Sequence, residues 1–568
     1  MKNESRRMIA VLVAVVMTAM GWSGAISART VIGDLEINGE VFVYTEFRWG
    51  RDDGPEEFSL AVAPGVFLGP DAFPAVDGTP NRDRYDTLTA FRTELLLEFV
   101  YHGIPHVTPV LKLRPYYDAM FDINDKDHAI SKSWETNFRN GLNDDWDPLV
   151  REAYLDINFH PLWVRAGRQI VTWGRSDGVS VLDVVTPRNF RNPLTFEQER
   201  FMIPQWMVNT KYDLSGVDWI PGGIQKELQI IWNLDYLPAR FPGFNPEEEG
   251  RHPWTLGVVD FADQIINVSK GLFGEPHFFN DNDWHKGDVF DKSEIFVRWR
   301  ARTGEGLGPL SDMTYSIHYA YLFEDIPFYE LGDRIPAGFA FDIAGPRAIG
   351  GGIDFERHRY QLAGLSFDKA LMFLPGQFQG TVLRAEAAYN FGNKFYEPDL
   401  ATVRANNLTT LLGLDQYLYI GPKSFIKTPW FVSFQYWRDE ILRDPGPGLH
   451  TNLGSVACAA QPGCGREGYI IGGETNGFNG LRDQSRNVLT LFMFNDFLPG
   501  KTLHVELFGL QELGSRQKAT WVRGVVGYAL NSKMSARVGI NVIGGRRSSF
   551  FGEFQSNDSA FMELKYTF

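Results

Sequence analysis

The chain reads as all-β: a transmembrane antiparallel up-and-down β-barrel of about 18 strands (16–18), with long extracellular loops and one insert that is a candidate for folding into the lumen. Three observations predict this. The C-terminal segment alternates apolar and polar residues and ends in phenylalanine. The same alternation recurs along the chain, while nothing beyond the N-terminus offers the run of roughly 20 apolar residues that a membrane-crossing helix needs. The connections between alternating segments are short and long by turns, as barrels with short periplasmic turns and long outer loops require.

In the last segment Ala560, Met562, Leu564, Tyr566 and Phe568 occupy one register, and Glu563, Lys565 and Thr567 fall in the other. Side chains on a strand alternate sides, so one set meets lipid and the other the lumen. Phe568 at the end of such a strand is the expected assembly signal, read by the barrel-assembly machinery. The pattern repeats upstream. Leu35, Ile37, Val41, Val43 and Phe47 oppose Asp34, Glu36, Asn38, Glu40 and Glu46. Leu228, Ile230, Trp232 and Leu234 oppose Glu227, Gln229, Asn233 and Asp235. Ile295, Val297 and Trp299 oppose Glu294, Arg298 and Arg300. Strand centres fall near residues 41, 94, 113, 154, 167, 209, 231, 297, 318, 362, 385, 415, 433, 491, 507, 524, 539 and 564. The one near 415 is the weakest by pattern. Short connections include 102–105, 160–161, 499–500 and 531–533; long ones include 50–86, 174–204, 238–291 and 439–486. An even strand number leaves both termini in the periplasm. Phe373-Leu374-Pro375-Gly376 and Phe497-Leu498-Pro499-Gly500 are matching turns, whose aromatic residues suit a membrane-interface girdle.

The N-terminus reads as an export signal. Lys2, Arg6 and Arg7 precede an apolar stretch from Met8 to Gly21, followed by small residues up to Ala28. The expected organisation is a signal peptide over 1–28 and a single barrel over 29–568, located in the outer membrane of a Gram-negative bacterium. No cysteine lies at the cleavage junction, so no lipoprotein anchor is expected. Cys458 and Cys464 are the only cysteines. In an exported chain they are expected to close a small disulfide ring, with metal binding or redox chemistry as the alternatives.

The net charge of −15 argues against a nucleic-acid partner. Acidic runs at 122–127 and 280–283 suit solvated loops, or surface binding of a divalent cation; neither has EF-hand spacing. No cofactor, catalytic residue or metal site is expected. Gly174-Arg175-Ser176-Asp177-Gly178 matches a nucleophile-elbow pattern but lacks the strand–turn–helix setting. The eleven histidines show no serine pairing readable from spacing.

The most distinctive stretch reads Arg151-Glu152-Ala153-Tyr154, then Gly167-Arg168-Gln169, Trp173-Gly174, Asp177-Gly178, Leu182-Asp183-Val184, Pro187 and Ile203-Pro204-Gln205-Trp206-Met207. This succession resembles the family catalogued as domain of unknown function 1302, most strongly over about residues 150–215. The resemblance implies an outer-membrane barrel, often encoded near efflux-type or lipid-transport components, and so a channel or transport component for hydrophobic or amphipathic molecules. Expected partners are outer-membrane lipid and lipopolysaccharide, the assembly machinery, and periplasmic or inner-membrane transport components. The alternative is a structural or partner-binding barrel, such as a sheath around an electron-transfer protein. A barrel-borne hydrolase is a third reading.

Within this frame the 174–204 loop is the candidate constriction. Val181, Leu182, Val184 and Val185 make an apolar patch that water disfavours, so it is expected to pack inside the barrel, or else against neighbouring loops as an external lid. A second insert, 256–273, has helical spacing and is a candidate lid helix. Lumen-lining candidates are Glu152, Arg165, Glu294, Arg298, Arg300, Arg384 and Glu386, whose mixed signs suit salt-bridge networks. Arg298, Arg300 and Arg302 share one face and form a candidate anion ladder. Arg168 falls in the lipid-facing register, where an arginine at mid-membrane costs about 2–4 kcal/mol, so a bulge, an interfacial position or a different register is expected there.

Overall fold

A computed structural model describes the following residues: 30–49, 60–63, 66–68, 88–123, 137, 148–174, 179, 181–189, 198–217, 223–239, 279–280, 289–305, 308–324, 328–331, 353–356, 358–396, 402–422, 428–442, 485–498, 500, 502–514, 518–545, 551–554 and 557–568. The expected signal peptide over 1–28, the 256–273 insert, Cys458 and Cys464, Asp177 and Gly178, Ser176, and the acidic residues of the 122–127 and 280–283 runs, Asp122 excepted, lie outside them.

Eighteen strands form the wall. They are β1 (Leu35–Arg48), β2 (Leu88–Tyr101), β3 (Val107–Leu113, continued by Tyr116–Asp118), β4 (Val150–Phe159), β5 (Leu162–Gln169) and β6 (Gln205–Asp213). Then come β7 (Gln225–Asp235), β8 (Glu294–Arg302), β9 (Thr314–Phe323), β10 (Arg359–Leu371), β11 (Thr381–Tyr396) and β12 (Thr402–Leu418). The circuit ends with β13 (Trp430–Ile441), β14 (Ser485–Phe497), β15 (Leu503–Glu512), β16 (Ala519–Ala529), β17 (Met534–Gly545) and β18 (Ser559–Thr567). Every neighbour pair is antiparallel, and β18 returns to pair with β1 from Glu40↔Thr567 to Arg48↔Ser559, which closes the sheet. Closure leaves no edge, so each strand's amides are satisfied by its neighbours even where lipid offers no hydrogen bonds. At the seam, the Gly39 and Phe568 backbones exchange hydrogen bonds of 3.0 and 2.8 Å.

The predicted architecture therefore holds, and each of the expected strand centres lies inside a strand. The two faces explain why. Ile317, Leu365, Leu412, Val522, Ile540 and Met562 are each about half exposed on the outer face. Their in-register neighbours, such as Ser316, Glu386, Arg523, Asn541 and Glu563, are buried in the lumen. Exposed aromatics mark both ends of the apolar belt: Phe159, Tyr212, Phe373, Tyr417 and Tyr528 at the end carrying the termini, and Phe47, Trp49, Trp206, Tyr321 and Phe391 at the other. This is the girdle pattern of a membrane barrel.

One register expectation is corrected. Arg168 pairs laterally with Ala153 and Trp206 on the outer side, yet it is only 5% exposed, against 48% for Trp206. It does not face lipid. The pairing runs through this point without a register shift, but Gly167 immediately before it adopts φ 135°, a backbone conformation outside the ordinary extended strand.

Candidate functional site

The connection from β5 to β6 turns inward. Its described residues, 170–174, 179, 181–189 and 198–204, enter the barrel instead of standing above it. Val181, Leu182 and Val185 are buried against lumen-facing residues of seven consecutive strands: Met207, Ile231, Phe296, Ala320 and Leu322, Leu362, Ala388 and Leu411. Val179 also touches a second apolar group built from Val488, Phe508, Leu510, Trp521 and Ile543 on β14–β17. Each buried aliphatic side chain contributes about 1.5–3 kcal/mol relative to exposure, which holds the loop inside. The predicted apolar patch thus packs within the lumen, and the external-lid alternative does not describe it.

The motif residues are the parts that make this turn possible. At Gly167 a β-carbon would collide with the Ala153 carbonyl oxygen. At Gly174 it would lie 2.8 Å from the Asp183 β-carbon, so only glycine lets the two legs of the loop approach. Gln169 is fully buried, and its Nε2 donates to the carbonyls of Arg165 and Met207, both at 3.1 Å, tying β5 to β6. Asp183 accepts the Trp173 amide at 3.0 Å and the Arg188 guanidinium at 2.8 Å. Thr186 Oγ1 accepts from the Val171 amide at 3.0 Å and donates to its carbonyl at 2.8 Å. The Pro187 carbonyl accepts from the Ile203 amide at 2.9 Å. Trp173 reaches the wall, where its Nε1 donates to Gln229 Oε1 at 3.1 Å, and Gln229 in turn donates to Asn209 at 2.8 Å.

The far leg is held by charge. Arg200, in the short helix Gln198–Phe201, lies between Glu94 on β2 and Glu40 on β1, with 2.7 Å to the latter. Its guanidinium stacks 3.6 Å above the Phe42 ring, and Arg114 donates to its carbonyl at 2.8 Å. The loop therefore bridges opposite parts of the wall. Nothing in the sequence singles out Arg200, because its partners lie 106 and 160 residues away.

All seven predicted lumen residues point inward. Arg165 grips Asp156 with bonds of 2.6 and 2.8 Å, and Lys112 meets Glu152 at 2.9 Å. Arg384 reaches Asp415 at 2.6 Å, while Glu386 is buried beside it on β11. Glu294 accepts from Asn233 at 2.8 Å and from the Phe323 amide at 2.9 Å. Mixed-sign networks are thus what most of these residues build. Arg298, which also meets Glu227 at 3.5 Å, and Arg300 line a cavity of about 270 Å³ with Thr172, Trp173, Gly174, Thr314, Tyr315, Ser316, Ser366 and Asp368. Arg302, the third arginine of the candidate ladder, is not in this lining and turns to Asp312 at 3.3 Å beside the β8–β9 turn.

In the same wall Ser316 Oγ lies 2.7 Å from His318 Nε2 and 2.6 Å from Ser366 Oγ. This corrects the reading that no serine–histidine pairing is readable from spacing. The spacing of two that puts both side chains on one face was present in Ser316-Ile317-His318. His318 packs edge-on against Trp173, with ring centroids 5.0 Å apart, and its Nδ1 has no hydrogen-bond partner among the described residues.

Comparison with known proteins agrees with the motif. Residues 8–219 match the family described as "Protein of unknown function (DUF1302)", a span that includes the first six strands and the whole inward loop. No curated protein matches the chain. Among solved structures, OccAB3 of Acinetobacter baumannii is 10% identical, covering 94% of this chain and 100% of that one at a TM-score of 0.44. OccK5 (OpdH) of Pseudomonas aeruginosa is 9% identical, covering 94% and 98% at 0.40. The outer membrane protein OpdK from Pseudomonas aeruginosa is 9% identical, covering 95% and 100% at 0.41. The barrel architecture itself stands on the strand pairing of this chain.

Proposed function

We propose that the chain is an outer-membrane channel for amphipathic or hydrophobic molecules, narrowed by the loop between β5 and β6. The observation that carries this reading is the bridge across the lumen: Trp173 and Leu182 on one wall, Arg200 on the other. An inward loop serves a selective passage. It does not serve a sheath, which needs a clear bore for a folded electron-transfer partner. The constriction offers apolar surface above a polar, arginine-bearing cavity, the pairing of surfaces that an amphipathic solute matches. In this reading the outer belt meets lipid and lipopolysaccharide, the assembly machinery reads Phe568, and periplasmic or inner-membrane components supply or accept the solute.

The Ser316–His318 pair favours a second reading, a hydrolase working inside the lumen, with Ser316 as nucleophile and His318 as base. Against it, a serine–histidine pair normally has a third group orienting the base, and His318 Nδ1 has none among the described residues. One reconstitution separates the readings. The purified chain in planar bilayers and liposomes is expected to give discrete conductance steps and uptake of amphipathic solutes, with p-nitrophenyl ester turnover at background and unaffected by Ser316→Ala. Absence of both conductance and uptake contradicts the channel. Ester turnover that Ser316→Ala abolishes establishes the hydrolase.

A further inference from the structure

We infer that the cavity beneath Trp173 is a subsite for the anionic head group, a carboxylate above all, of an amphipathic solute; the inference rests on the channel reading and names its substrate class. Arg298 and Arg300 follow each other on the lumen face of β8, two residues apart, so both guanidinium groups border the same space. Arg300 is exposed to it. Guanidinium presents a planar fork of donors that matches the two oxygens of a carboxylate, and such charge-assisted pairs are roughly twice as strong as neutral ones. The register puts hydroxyls directly beside them: Arg300 pairs laterally with Ser316, which pairs with Ser366, and Arg302 pairs with Thr314. These groups add donors without adding charge.

Two carboxylates face the same region. Asp368 is in the lining, and Glu227 stands 3.5 Å from Arg298. On the neighbouring strands Lys211 adds a positive charge, its Nζ lying 4.8 Å above the Trp163 ring, while Arg165 is already bidentate on Asp156. Beyond these two, Glu386 is the lateral neighbour of Ser366 on β11, while Arg384 is taken by Asp415, so Arg298, Arg300 and Lys211 stand against Asp368, Glu227 and Glu386 and the surround is close to neutral. What favours an anion is local: two guanidinium groups two residues apart on one face suit one negative charge rather than a polyanion. The volume of about 270 Å³ lies at the small end for ligand pockets, enough for a head group and its first few carbons. Trp173 is the roof, with Arg298 5.6 Å from its ring, and the apolar segment through Val179 and Leu182 continues above it. A head-down amphiphile thus finds donors below and apolar surface along its tail.

The test uses the full chain in detergent, with binding of sodium hexanoate, hexylammonium chloride and hexanol followed by calorimetry. Because binding is read directly, a channel that fails to conduct does not decide it, and a conducting channel does not rescue it. Hexanoate is expected to bind at least about tenfold more tightly than either partner. The double variant Arg298→Gln/Arg300→Gln is expected to lose that preference, and Arg298→Lys/Arg300→Lys to keep most of it. Retained heat-modifiable migration establishes that each variant still forms a barrel. Equal binding of the three probes, preference for hexylammonium through Asp368 and Glu227, or hexanoate affinity unchanged in the glutamine variant would each overturn the proposal.

Discussion

Deleting Asp177–Asn192 raises the single-channel conductance severalfold. A barrel of this strand number encloses an aqueous lumen unless something folds into it. What folds into it here is the segment bearing Val179, Val181, Leu182 and Val185, which touches lumen-facing residues from β6 round to β17. Removing it leaves Met207, Ile231, Phe296 and Leu362 facing water, a cost of about 1.5–3 kcal/mol for each side chain fully exposed. The wall tolerates that loss because its own strand ladder closes without the loop. Planar-bilayer recording of the variant, with heat-modifiable migration as the folding control, makes the comparison. Conductance equal to that of the intact chain would remove the loop from the role of constriction.

Leu412→Arg destabilises the barrel by about 2–4 kcal/mol, while Leu412→Phe is nearly neutral. Leu412 is 51% exposed near the middle of the apolar belt on β12, between Tyr417 at one end of the strand and the polar Asn406 towards the other. Arginine there loses its water and finds no partner, whereas phenylalanine keeps an apolar surface against lipid. Urea unfolding of the chain folded into lipid vesicles measures the difference. The adjacent position shows how sharp the alternation is: Leu411, 3% exposed, belongs to the lumen cluster beneath the loop.

These two results bear on what a sequence can reveal of such a fold. Each strand separates two environments, so the period-two pattern is enforced independently in every strand, and the wall could be read one segment at a time. The pattern fades where lipid ends. The strand centred by pattern near 415 is in fact Thr402–Leu418, its middle masked by Asn406, Asn407, Thr409 and Thr410. That only a few residues separate β11 from β12 and β15 from β16 was not foreseen for the same reason. The burial of Arg168 goes with a positive φ at the preceding Gly167, which alternation cannot express.

The candidate site was legible in part. The apolar patch at 181–185 had no place in water and therefore pointed to the interior. The inward direction of Arg298 and Arg300 followed from strand parity. What assembles the site was not legible: Gln229 under Trp173, and Glu40 and Glu94 about Arg200, are brought together only by closure of the barrel. The motif glycines at 167 and 174 gain their meaning from that assembly, since each marks a place where two backbones must nearly touch.

The central claim is that the loop occupies the lumen, and a disulfide trap addresses it most directly. Leu182 packs against Gly364 on the inner face of β10 so closely that a β-carbon at Gly364 would meet the Leu182 side chain. With Cys458 and Cys464 replaced by serine, the pair Leu182→Cys and Gly364→Cys is expected to cross-link on mild oxidation in the folded barrel, leaving the conductance at the level of the reduced form. Failure to cross-link in a barrel that has folded, with both thiols open to a bulky reagent added from outside, would place the loop above the pore and contradict the account.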